Sequence, residues 1–143
     1  MTIVEQRLAV ISEAKSWLLT PFHFEACIKG AGVACGPLLI AVYRAAGVPV
    51  PAEVAHFPRD WHLHTSKERY LEVVEQYATR VEEPLPGDIV LIRVFKNRPF
   101  CHGGIVTTWP QVIHAADRST VEYVDMSVSP LGKREHIFLS PWA

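Results

Sequence analysis

A chain of 143 residues with a formal net charge of −1 is long enough for a substantial hydrophobic core. Its near-balanced charge excludes a broad basic surface of the kind that holds nucleic acid. The longest apolar run, around Leu38 to Tyr43, is stopped by Arg44 and is too short to span a bilayer.

The expected organisation is a single domain over 1–143. The start, Met1-Thr2-Ile3-Val4-Glu5-Gln6-Arg7, lacks the basic region and apolar core of a signal peptide, so synthesis in the cytoplasm is expected. Three cysteines, Cys27, Cys35 and Cys101, have no CxxC spacing and read as thiols of a reducing compartment rather than a disulfide frame.

Thr2 with Glu5 reads as a capping box, and Ile3, Val4, Leu8, Ile11, Ala14, Trp17 and Leu18 recur at helical spacing, predicting a helix over about 3–18. Thr20-Pro21 breaks it, and Phe22 to Ala34 reads as loop. A second helix follows Cys35, with Pro37 suited to its first turn, Gly47 to its end and Pro49 to preventing continuation. Residues 48–64 have no clean period and read as an irregular connection. Thr65 with Glu68 predicts another capping box, opening a short helix through Tyr70, Leu71, Val74 and Tyr77.

After the turn Glu83-Pro84-Leu85-Pro86-Gly87-Asp88 the pattern changes to strands: Ile89–Val94, Gly103–Thr108, Gln111–Ala115, Val121–Asp125 and Glu135–Leu139. Helices first and antiparallel strands second predict an α+β fold, with N-terminal helices packed on a C-terminal antiparallel sheet.

Chemistry concentrates around Cys35, in Gly32-Val33-Ala34-Cys35-Gly36-Pro37. A thiol at a helix N-terminus is placed where backbone amides and a neighbouring imidazolium favour thiolate. A lone cysteine before an apolar helix is ordinarily a small buried hydrophobe, but His102 and His114 follow on predicted strands. If the hairpin around Trp109-Pro110 pairs even positions with even positions, the two imidazoles share one face and the second can orient the first. A one-residue slip would separate them. Gly103-Gly104 leaves the strand without bulk, inviting close approach of the Cys35 helix.

These residues carry a resemblance. Leu85-Pro86-Gly87-Asp88-Ile89-Val90, His102-Gly103-Gly104-Ile105-Val106 and Val112-Ile113-His114-Ala115, preceded by Trp17-Leu18-Leu19-Thr20-Pro21-Phe22 and the Gly32–Gly47 segment, resemble the NlpC/P60 cysteine peptidase family. The likeness runs from about Trp17 to Met126. It is nearest to the short branch found in phage tail gene clusters and gene transfer agents, the phage cell-wall peptidases.

The resemblance implies a papain-like fold and a cysteine hydrolase that cleaves amide bonds in peptidoglycan stem peptides. Cys35 would be nucleophile, His102 general base and acid, and His114 the orienter. It implies no cofactor and no metal, a peptidoglycan peptide as substrate, and phage tail proteins as partners, with localisation in a virion tail. The chain departs from the family pattern at Ala34, where an Asp is usual, and at Phe22, where a tyrosine hydroxyl lies near the nucleophile; His23 is the neighbouring candidate substitute. The alternative is a structural or binding module of a phage tail that keeps the fold with weak or no turnover. Acyl transfer to another amine is a third outcome of the same trio.

Other residues have simpler expectations. Asp88 reads as a turn residue, Cys27 as incidental, and Cys101 as a packing residue pointing away from His102. Arg59-Asp60-Trp61-His62-Leu63-His64 is dense in polar and aromatic groups; Trp61 and His62 are candidates to line a substrate groove, against the plainer reading of a solvated loop. His62-x-His64 is the only near pair among seven histidines, so a metal site is not expected.

Overall fold

The computed structural model describes residues 1–51 and 60–143. Helix α1 spans Ile3–Ser16 and opens on the expected capping box: Thr2 Oγ1 accepts the Glu5 N–H at 3.1 Å, and Glu5 accepts the Thr2 N–H. The loop expected over 22–34 contains a short hairpin, β1 (Cys27–Ile28) with β2 (Gly32–Val33), too brief for a sequence period to reveal. Helix α2 spans Cys35–Ala45, and Gly47 takes φ +82° just beyond it, the left-handed conformation that ends a helix.

Of the irregular connection expected over 48–64, residues 52–59 lie outside the described residues; Trp61–Leu63 forms one 3-10 turn. Helix α3 is shorter than expected, Arg69–Val74, and the predicted capping box does not form. Thr65 accepts the Lys67 N–H instead. The Glu68 carboxylate turns outward, accepting the Phe100 N–H at 3.0 Å and Arg93 Nη1 at 3.1 Å. A tertiary carboxylate partner displaced the local one.

The strands are β3 (Thr79–Val81), β4 (Ile89–Ile92), β5 (His102–Thr108), β6 (Gln111–Ala115), β7 (Val121–Asp125) and β8 (His136–Ser140). They form one antiparallel sheet in the order β3-β8-β4-β5-β6-β7. The fold is therefore α+β, as the pattern predicts. Of these six strands only β3 was unforeseen, because Thr79–Val81 lies at the sheet margin with mostly exposed side chains and carries no apolar alternation.

Alternation along the strands separates two layers. Ile89, Leu91, Ile105, Ile113, Ala115 and Leu139 join the helices in the main core with Leu38, Leu39, Val42 and Tyr43. Val90, Ile92, Val106, Val112 and Met126 form a smaller cluster.

The turn before β4 is the hinge between helices and sheet. Gly87 adopts φ +95°, donates its N–H to Val106 O and accepts the Tyr43 hydroxyl at 2.6 Å. Asp88 is more than a turn residue: at 1% exposure it accepts the Leu85 N–H and pairs with Arg7 of α1, each at 2.8 Å. Buried charge of this kind persists because it is matched on both sides. The Pro-Gly-Asp segment thus ties α1, α2 and β5 together at one corner.

Candidate active site

Cys35 is the first residue of α2. The preceding Ala34 supplies no side-chain cap, and Pro37 has no N–H, so the orphan donors of the first turn are the backbone N–H groups of Cys35 and Gly36. Both face the sulfur, as does the N–H of Gly103, and all three favour its anionic form. The resting thiol donates to the Cys101 carbonyl at 3.8 Å. Cys101 and Gly103 bracket His102 in the chain, so the sulfur rests against the backbone on either side of that histidine.

The two histidines come together as the even-to-even register requires. Ile105 pairs with Ile113 and Val106 with Val112, which sets His102 diagonally from His114. His102 Nε2 lies 2.7 Å from His114 Nδ1, and the rings meet edge to face at 81°. The glycine of this strand that faces His114 is Gly104: a Cβ there would stand 2.5 Å from Val112 Cγ1 and 3.2 Å from His114 Cβ. His102 uses Nε2 on His114, so Nδ1 is the ring nitrogen able to take up a proton and must start bare to do so. That assignment makes His102 Nε2–H the donor and His114 Nδ1 the acceptor.

The electrostatics correct one sequence expectation. Burial pushes the Cys35 thiol up, outweighing the hydroxyl of Tyr70 and the backbone donors that lower it. Although Cys35 and His102 each keep some accessible surface, the protein crowding them strips most of their water. Desolvation likewise holds His102 down to about 4, opposed weakly by Asp117. His114, only 5% exposed, is held down to about 4 by desolvation and then by His102, with Glu122 opposing. The resting site is thus thiol and neutral imidazole, not a preformed ion pair.

The remaining sequence candidates divide. Phe22 is half-buried against the main core; its backbone bridges Val33, two residues before Cys35, and its N–H donates to Ser119. His23 is exposed and its ring contacts are local: Nδ1 accepts the Glu25 N–H and the ring stacks on Phe24. Trp61, at 7% exposure, belongs to the core, which corrects the reading of that segment as wholly solvated. His62 stacks on Phe95 with centroids 5.3 Å apart, its Nδ1 buried without a hydrogen-bond partner, and burial lowers its pKa. His64 pairs with Asp60 at 2.8 Å on the surface.

Cys101 packs as expected: it precedes β5, lies against the helix-side core, and is close enough to Cys35 that burial first, then the Cys35 charge, pushes it up to about 11. Sequence reasoning missed Tyr70, whose hydroxyl sits beside the thiol; its only signal was a place in an apolar helical pattern. It also missed Glu122, the cross-strand neighbour of His114. Among the described residues no cluster of three or more His, Cys, Asp or Glu is arranged to hold a metal ion, and no helix is long and apolar enough to cross a membrane.

With this geometry, comparison with solved structures is decisive for the fold. NlpC2 from Trichomonas vaginalis superposes with a TM-score of 0.68 at 17% identity, over 97% of this chain and 47% of that one. The fold is the NlpC/P60 fold. The NlpC/P60 domain of the peptidoglycan hydrolase SagA matches with a TM-score of 0.60 at 14% identity, over 92% of this chain and 96% of that domain. The peptidoglycan hydrolase RipB from Mycobacterium tuberculosis matches with a TM-score of 0.59 at 16% identity, over 99% of this chain and 68% of that one.

This chain spans less than half the length of the Trichomonas protein. No family model matches the sequence, and no curated protein matches it. At these identities the NlpC/P60 likeness is one of fold.

Proposed function

We propose that this protein is a cysteine hydrolase of the NlpC/P60 type that cleaves amide bonds in peptidoglycan stem peptides. The observation carrying this reading is the convergence of Cys35, at the head of α2, on the backbone flanking His102, with His102 bonded to His114 at 2.7 Å. SagA and RipB, which share the fold, are peptidoglycan hydrolases.

In this mechanism Cys35 attacks the carbonyl carbon while its proton passes to His102 Nδ1. The C–S bond forms and the C–N bond breaks, and His102 returns the proton to the leaving amine. Water, deprotonated by His102, then hydrolyses the thioester. The N–H of Cys35 is the natural donor to the oxyanion. His114 keeps His102 in the tautomer that leaves Nδ1 basic.

The sequence resemblance to phage-tail peptidases supports placing the protein in a virion tail, with tail proteins as partners. Acyl transfer to another amine is chemically compatible with the same trio. One observation favours a second reading, a binding module without efficient turnover: burial holds both Cys35 and His102 neutral, so no thiolate stands ready.

Incubation of the protein and its Cys35→Ala variant with muropeptides of defined stem composition, followed by mass spectrometry, separates the two. Cleavage that the variant lacks supports the hydrolase and names its bond. No cleavage by either protein favours the binding module.

A further inference from the structure

Tyr70 is the buried group that the mechanism above leaves unused. It lies on α3, is 6% exposed, and its hydroxyl is buried without a hydrogen-bond partner within ordinary geometric limits. Buried hydroxyls are ordinarily satisfied, and one that is not calls for a reason. Its position is defined by two glycines on either side of the thiol. A Cβ on Gly103 would stand 2.9 Å from the Tyr70 hydroxyl oxygen, and a Cβ on Gly36, the residue after Cys35, would stand 3.5 Å from the ring at Cε2 and 4.0 Å from the hydroxyl. The phenol thus reaches the same two backbone positions whose N–H groups face the sulfur.

The ring is also held there. Glu68, immediately before α3, accepts both the Phe100 N–H and Arg93 Nη1, and the Arg93 guanidinium lies 4.2 Å from the centroid of the Phe100 ring. Arg93 further bonds Glu135 and the Arg98 carbonyl. This tether fixes α3 to the segment that leads into Cys101 and His102.

We propose that the Tyr70 hydroxyl is a catalytic donor of the reactive centre, hydrogen-bonding the Cys35 sulfur as its proton leaves for His102. The inference deepens the hydrolase reading and rests on it for its role in turnover. Desolvation raises the Tyr70 pKa well above the ordinary phenol value, and the nearby Cys35 raises it further, so the group keeps the proton it would donate. The same contact lowers the Cys35 pKa against the stronger effect of burial. A donor of this kind is worth most at the moment negative charge appears on sulfur, which accounts for its loose geometry against the neutral thiol.

The test reads the thiol and needs no cleavage assay. Among the described residues the titratable groups facing Cys35 are Cys101, just before β5, and Tyr70 on α3, with Glu68 near Cys101 and Tyr77 behind Tyr70. Iodoacetamide alkylation of Cys35 is followed against pH by peptide mass spectrometry, which separates it from Cys27 and Cys101. Tyr70→Phe keeps the ring and removes the hydroxyl, and its profile is expected to move up by about one pH unit, a roughly tenfold loss of thiolate at fixed pH. Profiles that superimpose, or move down, overturn the proposal.

3,5-Difluorotyrosine in place of Tyr70 covers the case in which Tyr70→Phe does not fold, because it keeps the hydroxyl and strengthens it as a donor. Its profile should move to lower pH, and an unmoved profile overturns the proposal. Failure of the hydrolase reading is seen separately, as muropeptides left intact by the unaltered protein.

Discussion

His102 Nε2 and His114 Nδ1 stand 2.7 Å apart across β5 and β6, although a hairpin separates the two residues in the chain. The relationship assigns a direction. An imidazolium at His102 donates to a neutral imidazole, so hydrogen bonding steadies its charge, with Asp117 the nearby carboxylate that also favours it. That arrangement suits a histidine that must take a proton briefly and return it.

Removing the acceptor should therefore impair chemistry more than binding. His114→Ala is expected to lower kcat by about 10²-fold with a small change in KM, because His102 loses its fixed tautomer. Steady-state kinetics on a defined muropeptide measure the split. An equal loss in KM with unchanged kcat would assign His114 to substrate binding instead.

The histidine pair also makes stability depend on pH in a known direction. Both rings are held down to about 4 in the folded chain against 6.5 for a free imidazole. Between those values the unfolded chain takes up protons that the folded chain refuses, so stability is complete above pH 6.5 and is lost as pH falls towards 4. The loss is expected to be about 2 kcal/mol for each ring at pH 4.5, less for His102, which keeps some accessible surface. Urea denaturation at pH 7 and pH 4.5 measures it, and His114→Gln should reduce the difference.

Gly104→Ala should be destabilising by about 1–3 kcal/mol, because the added methyl meets Val112 at 2.5 Å and the Ile113 carbonyl at 2.9 Å. The backbone carbonyl cannot swing away as a side chain would. Thermal melts give the stability change, and Cys35 alkylation rates report whether the reactive centre moves with the strand.

Asp88→Ala should cost about 3–5 kcal/mol by leaving Arg7 without its carboxylate partner and the Leu85 N–H without an acceptor. His102 lies on β5, which pairs with the strand that follows Asp88, so activity should fall with the folded fraction and not independently of it. Activity normalised to the folded population at reduced temperature checks the distinction.

The sequence by itself determined the period of two along β5 and β6 but left their register open, which the one-residue irregularity between Val106 and Thr108 settles as even-to-even. It also determined the capped first helix, the helix behind Cys35 and the strands from Ile89 onward, because each has strong local periodicity. Thr65 and Glu68 made an equally good local capping pattern, and there the sequence misled: Phe100 and Arg93 claimed the carboxylate.

Only the tertiary structure decided what surrounds the thiol. Burial depends on every element packed nearby, so the rise of the Cys35 pKa, opposite to what a helix N-terminus alone implies, has no signature in the residues next to it. Tyr70 was hidden for the same reason. An apolar helical pattern places its ring in the core, but only the approach of α3 to Gly36 and Gly103 brings its hydroxyl to the sulfur.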